Sequence, residues 1–110
     1  MLKTLERPPL ITVHLAGELG EKFGQLHHVR GRSTADLIQG IAANQPLFRS
    51  HLYKGGEYAV LDIGNDRELS EDELGYPVKE LAIVPVVGGS GGSWTRIIIG
   101  SALIVAGAFS

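Results

Sequence analysis

Apolar and polar residues alternate along residues 10–16, so that Ile11, Val13 and Leu15 fall on one face. A spacing of two is typical of a half-buried strand. We therefore predict a strand at 10–16 whose Ile/Val/Leu face lies in the core. The stretch QLHHVRGR, residues 25–32, shows a shorter alternation, and the glycine-bearing residues before it predict the turn of a hairpin.

The spacing changes to that of a helix after Ser33. Leu37 and Ile41 are four positions apart and belong to one apolar stripe. Ser33 or Thr34 is suited to cap the first amides of such a helix. Pro46 is expected to end it, because proline cannot continue a helix.

The rest of the chain predicts shorter elements. Residues 47–52 suggest a short packed turn, residues 57–63 a third strand, and residues 70–77 an acidic loop. Residues 78–87 predict the last strand, which is apolar on both faces from Leu81 onward, as a central strand would be.

The order of these elements is hairpin, helix, strand, loop and strand. A helix that follows a β-hairpin and packs on a mixed sheet with the last strand in its middle is the β-grasp (ubiquitin-like) arrangement. We predict this α+β fold, with one main helix, for residues 10–87, after a flexible lead at 1–9. Pro85 then has to lie at a bulge or near a strand end, since it cannot donate to a ladder.

The composition excludes several classes of site and partner. The chain has 110 residues, 44% of them hydrophobic, a formal net charge of −2 and no cysteine. Disulfides and cysteine-based metal sites are excluded, and a near-neutral charge gives no indication of a nucleic-acid partner. The N-terminus has no apolar run that could serve as a secretory signal.

No pattern of catalytic or cofactor-binding residues is present. The sequence has no phosphate-binding loop and no dinucleotide fingerprint, and its acidic residues around 66–73 are expected to form a solvated loop. His27 and His28 are adjacent, so on a strand they point to opposite faces and cannot chelate one ion together. We expect no enzyme activity, no metal and no cofactor.

Two glycine pairs follow the last predicted strand. Residues 88–93 predict a Gly/Ser hinge. The same glycines also suit a protease cleft, because a backbone without side chains passes through a narrow channel. The hinge and the cleavage interpretation are compatible, and the residues concerned are Gly88, Gly89, Gly91 and Gly92.

The last segment, residues 94–110, predicts an apolar, helical tail. Its uncharged stretch, residues 97–110, is shorter than the roughly 20 residues that span a bilayer. Burial in a protein assembly is the favoured interpretation, and a membrane anchor is the alternative. The predicted partner-binding residues are Trp94, Arg96, Ile97, Ile98, Ile99, Leu103, Ile104 and Val105.

Several stretches also resemble a known family. The run ELAIVPVVGGSGG is similar to the C-terminal end of ubiquitin-like sulfur carriers, whose last strand ends in a free diglycine. A broader resemblance is to the tail assembly protein I family of lambda-like, long-tailed phages. The stretches that carry it, in order, are ITVHLAGELGEKFG, STADLIQGIAANQPLFRSHL, GGEYAVLDIGNDRELSEDEL and ELAIVPVVGGSGGSWTRIIIGSALIVAGA.

The resemblance implies a β-grasp domain, a Gly/Ser hinge, an apolar segment and a further C-terminal region beyond Ser110. It implies a non-enzymatic role in building the tail tip, in the host cytoplasm and, as a second location, in the virion. The implied partners are the central tail tip or fibre protein, other tail-tip proteins and a peptidase-like tail assembly protein. Two alternatives stay open: a ubiquitin-like modifier or sulfur carrier matured by cleavage at the diglycine, and a small membrane-anchored protein.

Overall fold

A five-stranded mixed sheet with three helices forms the α+β fold of this protein. The computed structural model describes residues 7–54, 56–86 and 95–99. The strands and helices are β1 (Leu10–Leu15), α1 (Gly17–Phe23), β2 (Leu26–Arg30), α2 (Thr34–Asn44), α3 (Pro46–Tyr53), β3 (Tyr58–Asp62), β4 (Arg67–Leu69) and β5 (Glu80–Pro85).

The strand order is β2-β1-β5-β3-β4, so the last strand lies in the middle as predicted. The central pair, β1 and β5, is parallel, and the other neighbours are antiparallel. Ile11, Val13 and Leu15 are buried, which confirms the predicted core face of the first strand. Pro85 is the last residue of β5 and pairs with Tyr58, in line with its predicted place near a strand end.

The connection between β1 and β2 is a helix and not the predicted turn. Gly17, with φ +56°, starts α1, and Gly24, with φ +95°, ends it. Leu19 and Phe23 lie four residues apart and are both buried. Their burial stabilises a helix of seven residues that would be marginal by itself.

Helix α2 begins and ends close to its predicted limits. Ser33 is its N-cap, and its hydroxyl oxygen accepts the Asp36 N–H at 3.2 Å. Pro46 does not continue α2 and instead occupies the first turn of α3, where its missing N–H costs nothing. Phe48 and Leu52 are fully buried on α3, so the predicted packed turn at 47–52 is a third helix.

One strand was missed by the sequence analysis. β4 has only three residues and pairs with β3 through a 3-10 turn at Ile63–Asn65. Asp66 closes that turn in the left-handed conformation, with φ +53°. The acidic stretch after β4 forms a second short 3-10 turn, Glu71–Glu73.

Close packing of α2 on β2 depends on Gly40. A Cβ atom at this position would overlap Cγ1 of Val29, which is partly buried against the core. Glycine costs a helix interior about 1 kcal/mol relative to alanine. The close approach explains why a glycine stands in the middle of α2.

We expect Gly40→Ala to destabilise the protein even though alanine favours helix. The double variant Gly40→Ala/Val29→Ala should recover most of the lost free energy of unfolding, because it removes the clashing methyl group. Urea unfolding of the two single variants and the double variant measures this coupling. Strictly additive effects would contradict the packing argument.

A buried carboxylate, Asp62, fastens the start of β5 to the end of β3. Asp62 is 1% exposed. Its Oδ1 accepts the backbone N–H groups of Lys79 at 3.1 Å and Glu80 at 3.3 Å, and its Oδ2 accepts the Asn65 side-chain amide. Burial raises the pKa of Asp62, but these hydrogen bonds outweigh it, so the net pKa lies below the ordinary value.

Asp62→Ala should lower the free energy of unfolding at pH 7 by about 3 kcal/mol, because three donors lose a charged acceptor. The lowered pKa of Asp62 means that its stabilisation is present above the unfolded-state pKa and is lost as pH falls through the folded-state pKa. The variant should therefore lose less stability than the wild type on acidification. Urea unfolding from pH 6 to pH 2 checks both points, with exposed Asp72→Ala as the control.

Candidate functional site

The chain returns to the sheet after the glycine pairs. Tyr58 and Ile97 exchange two backbone hydrogen bonds, each of 2.8 Å. β4 pairs only with residues 60–62 of β3, so Ile97 occupies the next part of the same edge. Ile97 thereby forms a single bridge to the sheet edge where the short β4 ends.

The two ends of the intervening stretch are held at neighbouring residues. The Val86 N–H donates to the Glu57 carbonyl at 2.9 Å, and Ile97 pairs with Tyr58. The chain that leaves the sheet after β5 therefore comes back to the same point of β3. The predicted hinge or cleavage residues between these ends, Gly88, Gly89, Gly91 and Gly92, lie outside the described residues.

The structure changes the interpretation of the predicted partner-binding residues. Ile97 and Ile99 are both 0% exposed and belong to the hydrophobic core, so they are not available to a partner in this arrangement. Arg96 is exposed, and Ile98 is 40% exposed. The boundary predicted at residue 94 does not separate 95–99 from the domain. The remaining predicted residues, Trp94, Leu103, Ile104 and Val105, lie outside the described residues.

A cleft of about 390 Å³ lies beside this return point. The beginning of α1, the beginning of β3 and the end of β5 meet there. Its floor is apolar and two carboxylates stand at its rim, which makes it the candidate functional site. The lining residues are Gly17, Glu18, Gly56, Glu57, Tyr58, Val84, Pro85 and Val86.

Both rim carboxylates have basic neighbours. Glu18 lies 3.5 Å from His51 Nε2, and Glu57 lies 3.8 Å from the Arg96 guanidinium. These pairs are partly exposed, so each contributes little to stability. Burial raises the pKa of Tyr58, and the negative charge of Glu18 raises it further. The Tyr58 hydroxyl therefore stays protonated at neutral pH.

Residues 95–99 also contact β4. The Thr95 N–H donates to the Glu68 carboxylate. Hydrogen bonds from the Thr95 side chain and N–H hold the pKa of Glu68 below its ordinary range, against a small opposing effect of burial. The segment is thus joined to both strands at this edge of the sheet.

The cleft combines carboxylates with apolar side chains. Carboxylates beside apolar side chains suit a cationic or amphipathic segment of a protein. Within the described residues, the cleft lining holds no serine, cysteine, lysine or histidine that a carboxylate could activate as a nucleophile.

The histidines take separate roles. His14 Nε2 lies 2.7 Å from the Glu80 carboxylate, and His28 Nδ1 lies 3.3 Å from the Thr12 hydroxyl. His27 contacts the Gly24 carbonyl at 3.0 Å, and His51 packs against a phenylalanine ring of α1. In the described ranges, no three His, Asp or Glu side chains are grouped as a metal ion would require.

Sequence reasoning missed the attachment of 95–99, although a signal was present. Ile97 and Ile99 are two positions apart, with Ile98 between them facing outward. A buried side chain at every second position is the spacing of a bridge to a sheet edge, although the structure pairs only Ile97 and the backbone is helical at Ile99. The spacing is hidden because all three residues are isoleucine, so the run resembles a uniformly apolar tail.

Comparison of the chain with protein-family models, with curated proteins and with solved structures gives no match. A search of the described residues for membrane spans finds no helix long and apolar enough to cross a bilayer.

The two faces of 95–99 predict opposite mutational effects. Ile97→Ala should cost about 2–5 kcal/mol of unfolding free energy, because it empties a fully buried position. Ile98→Ala should change stability by about 0.5 kcal/mol or less, because its side chain is partly in solvent. Urea unfolding of the full chain compares the two. Equal effects would mean that 95–99 does not pack on the domain in solution.

Proposed function

We propose that this protein is a non-enzymatic tail tip assembly protein of a long-tailed phage, with a β-grasp domain that carries an apolar C-terminal tail. The proposal combines the resemblance of four sequence stretches to tail assembly protein I with the topology of the sheet. It gives the protein a binding role during virion assembly.

The observation that carries the proposal is the strand order β2-β1-β5-β3-β4 with a parallel central pair. The hairpin β1–β2 precedes the main helix α2, and the last strand enters between β1 and β3. This is the arrangement expected of a β-grasp domain. The stretches that resemble the phage family supply each of its main elements.

The attachment of 95–99 refines the role of the tail. Ile97 and Ile99 anchor the chain in the core, while Arg96 and Ile98 face outward beside the cleft. A partner that contacts the cleft would meet these two side chains as well. The proposed contact of the tail with the tail-tip proteins then starts from this segment, which Ile97 and Ile99 hold on the domain.

The modifier alternative requires a cut at Gly89 or Gly92. After such a cut, residues 95–99 would be held on the sheet by noncovalent contacts alone. The docking proposal requires no cut, and it uses the contacts of Val86 and Ile97 on both sides of the glycine pairs.

Disruption of the gene in its own genome tests the proposal. Induction should then yield phage heads without complete tails, and the wild-type gene supplied in trans should restore tailed particles. Electron microscopy of the lysate counts them. Normal numbers of tailed particles from the disrupted genome would refute a role in tail assembly.

Two surface variants test whether the exposed side chains of 95–99 are needed for tail assembly. Ile98→Asp and Arg96→Glu should each reduce tailed particles by about tenfold or more, since Arg and large apolar residues often dominate interfaces. Exposed Lys54→Glu, at the residue that follows α3, is the charge control. Immunoblots must show equal soluble protein for all three.

The intact mass of the protein from purified tail tips distinguishes the modifier alternative, which predicts a chain ending at Gly89 or Gly92.

A further inference from the structure

The outer edge of β2 carries backbone groups that have no partner strand in the described part of the chain. β2 is the first strand of the sheet order, so only β1 pairs with it among the described residues. Leu15 N–H donates to the Gln25 carbonyl, and Gly31 N–H donates to the Pro9 carbonyl. In an antiparallel pair, hydrogen-bonded residues alternate. His27 and Val29 therefore bond to β1, and the N–H and C=O groups of Leu26, His28 and Arg30 point away from it.

A groove accompanies this edge. It has a volume of about 310 Å³ and lies between β2 and the second half of α2. Ile41 and Val29 form its apolar side, and Asn44 stands at its end. Gly40 keeps the helix close to the strand without filling the groove. A strand added to β2 would direct every second side chain into this space.

The edge also carries one fixed positive charge, that of Arg30. Its lining residues include Arg30, His27 and His28 and no Asp or Glu, although the chain as a whole has a net charge of −2. Asp36, an acidic neighbour at the start of α2, accepts the Arg32 N–H at 3.1 Å. The Arg30 guanidinium uses Nη1 on the Pro8 carbonyl at 3.1 Å, and has further N–H groups for a carboxylate.

Among the described residues, segments of the same protein are poorer occupants. Pairing of β2 with a second copy would bring the Arg30 side chains of two edges to the same pairing and supply no carboxylate. The acidic stretch of this chain is engaged elsewhere, because Glu73 bonds to Ser70 and forms an ion pair with Arg67. The charge of the edge thus favours a different, acidic chain.

We propose that the free edge of β2 binds an extended acidic peptide segment of a partner protein, which adds a strand to the sheet. Its backbone bonds to Leu26, His28 and Arg30, its carboxylates lie beside Arg30 and His28, and its alternate apolar side chains enter the groove along α2. Addition of a strand to an open sheet edge is an established mode of peptide recognition. The inference stands independently of the role in tail assembly.

Hydrogen exchange tests the proposal on the wild-type full chain. The probe is a seven-residue peptide of alternating glutamate and valine. It should slow amide exchange at Leu26, His28 and Arg30 by about tenfold or more at saturation. His27 and Val29 are internal controls, because their amides already bond to β1 and should be slow without peptide.

Variants separate the contribution of the backbone hydrogen bonds to peptide binding from that of the Arg30 charge. His28→Pro removes one outward N–H and no ladder bond, so it should abolish binding, while His28→Ala retains the N–H and should keep most of it. Arg30→Gln should weaken binding by about tenfold, since charge-assisted hydrogen bonds are the strong ones. Lys54→Gln is the matched charge control, and fluorescence anisotropy of the labelled peptide measures the affinities.

Other results would overturn the proposal. Equal binding of a lysine–valine peptide would show that charge does not select the partner. Protection that rises with protein concentration in the absence of peptide would identify a second copy as the occupant. No protection at any peptide concentration would mean that the basic side chains serve only to prevent edge-to-edge aggregation. If His28→Pro fails to fold, the exchange pattern of the wild type decides alone.

Discussion

The parallel pairing of β1 with β5 is the contact on which the rest of the structure depends. It joins the first and last strands of the sheet, from Thr12 opposite Glu80 to Leu15 opposite Ile83. The entropic cost of closing so long a stretch grows only slowly with its length. Complete burial of Val13, Leu81 and Ile83 offsets it. The positions of β2 and β3 follow, because each pairs with one strand of this central pair.

The central pair also determines which strands lie at the two edges of the sheet. On one side, β2 ends the described sheet with an open edge that carries the charge of Arg30. On the other side, the edge of β3 is shared between the short β4 and Ile97. An open edge invites pairing with other chains unless charge or cover prevents it. This domain has charge at one edge and a returning segment of its own chain at the other, so the two edges differ in the groups that they expose.

Much of the fold was predictable because its central elements carry strong patterns. Three patterns are clear: the alternation at 10–16, the apolar stripe after Ser33 and the last strand, which is apolar on both faces. In each of them apolar positions of the sequence are buried in the structure. α1 was missed because its glycines resemble a turn, and only burial of Leu19 and Phe23 stabilises it as a helix. The candidate cleft was not predictable, since Glu18 and Glu57 meet only through the sheet register and the return of the chain.

The return of the chain at Ile97 determines what a cut at the glycine pairs would do to the stability of the domain. Loss of residues 95–99 after a cut would expose the core positions of Ile97 and Ile99, which are both fully buried. Burial of two such side chains is worth about 3–6 kcal/mol, a large part of the roughly 5–15 kcal/mol that stabilises a typical domain. If residues 95–99 left the domain after a cut, this stabilisation would be lost unless another chain covered the Tyr58 edge. A cut at the glycine pairs would then be coupled to binding at this edge, because a bound chain would restore the burial that the cut removed.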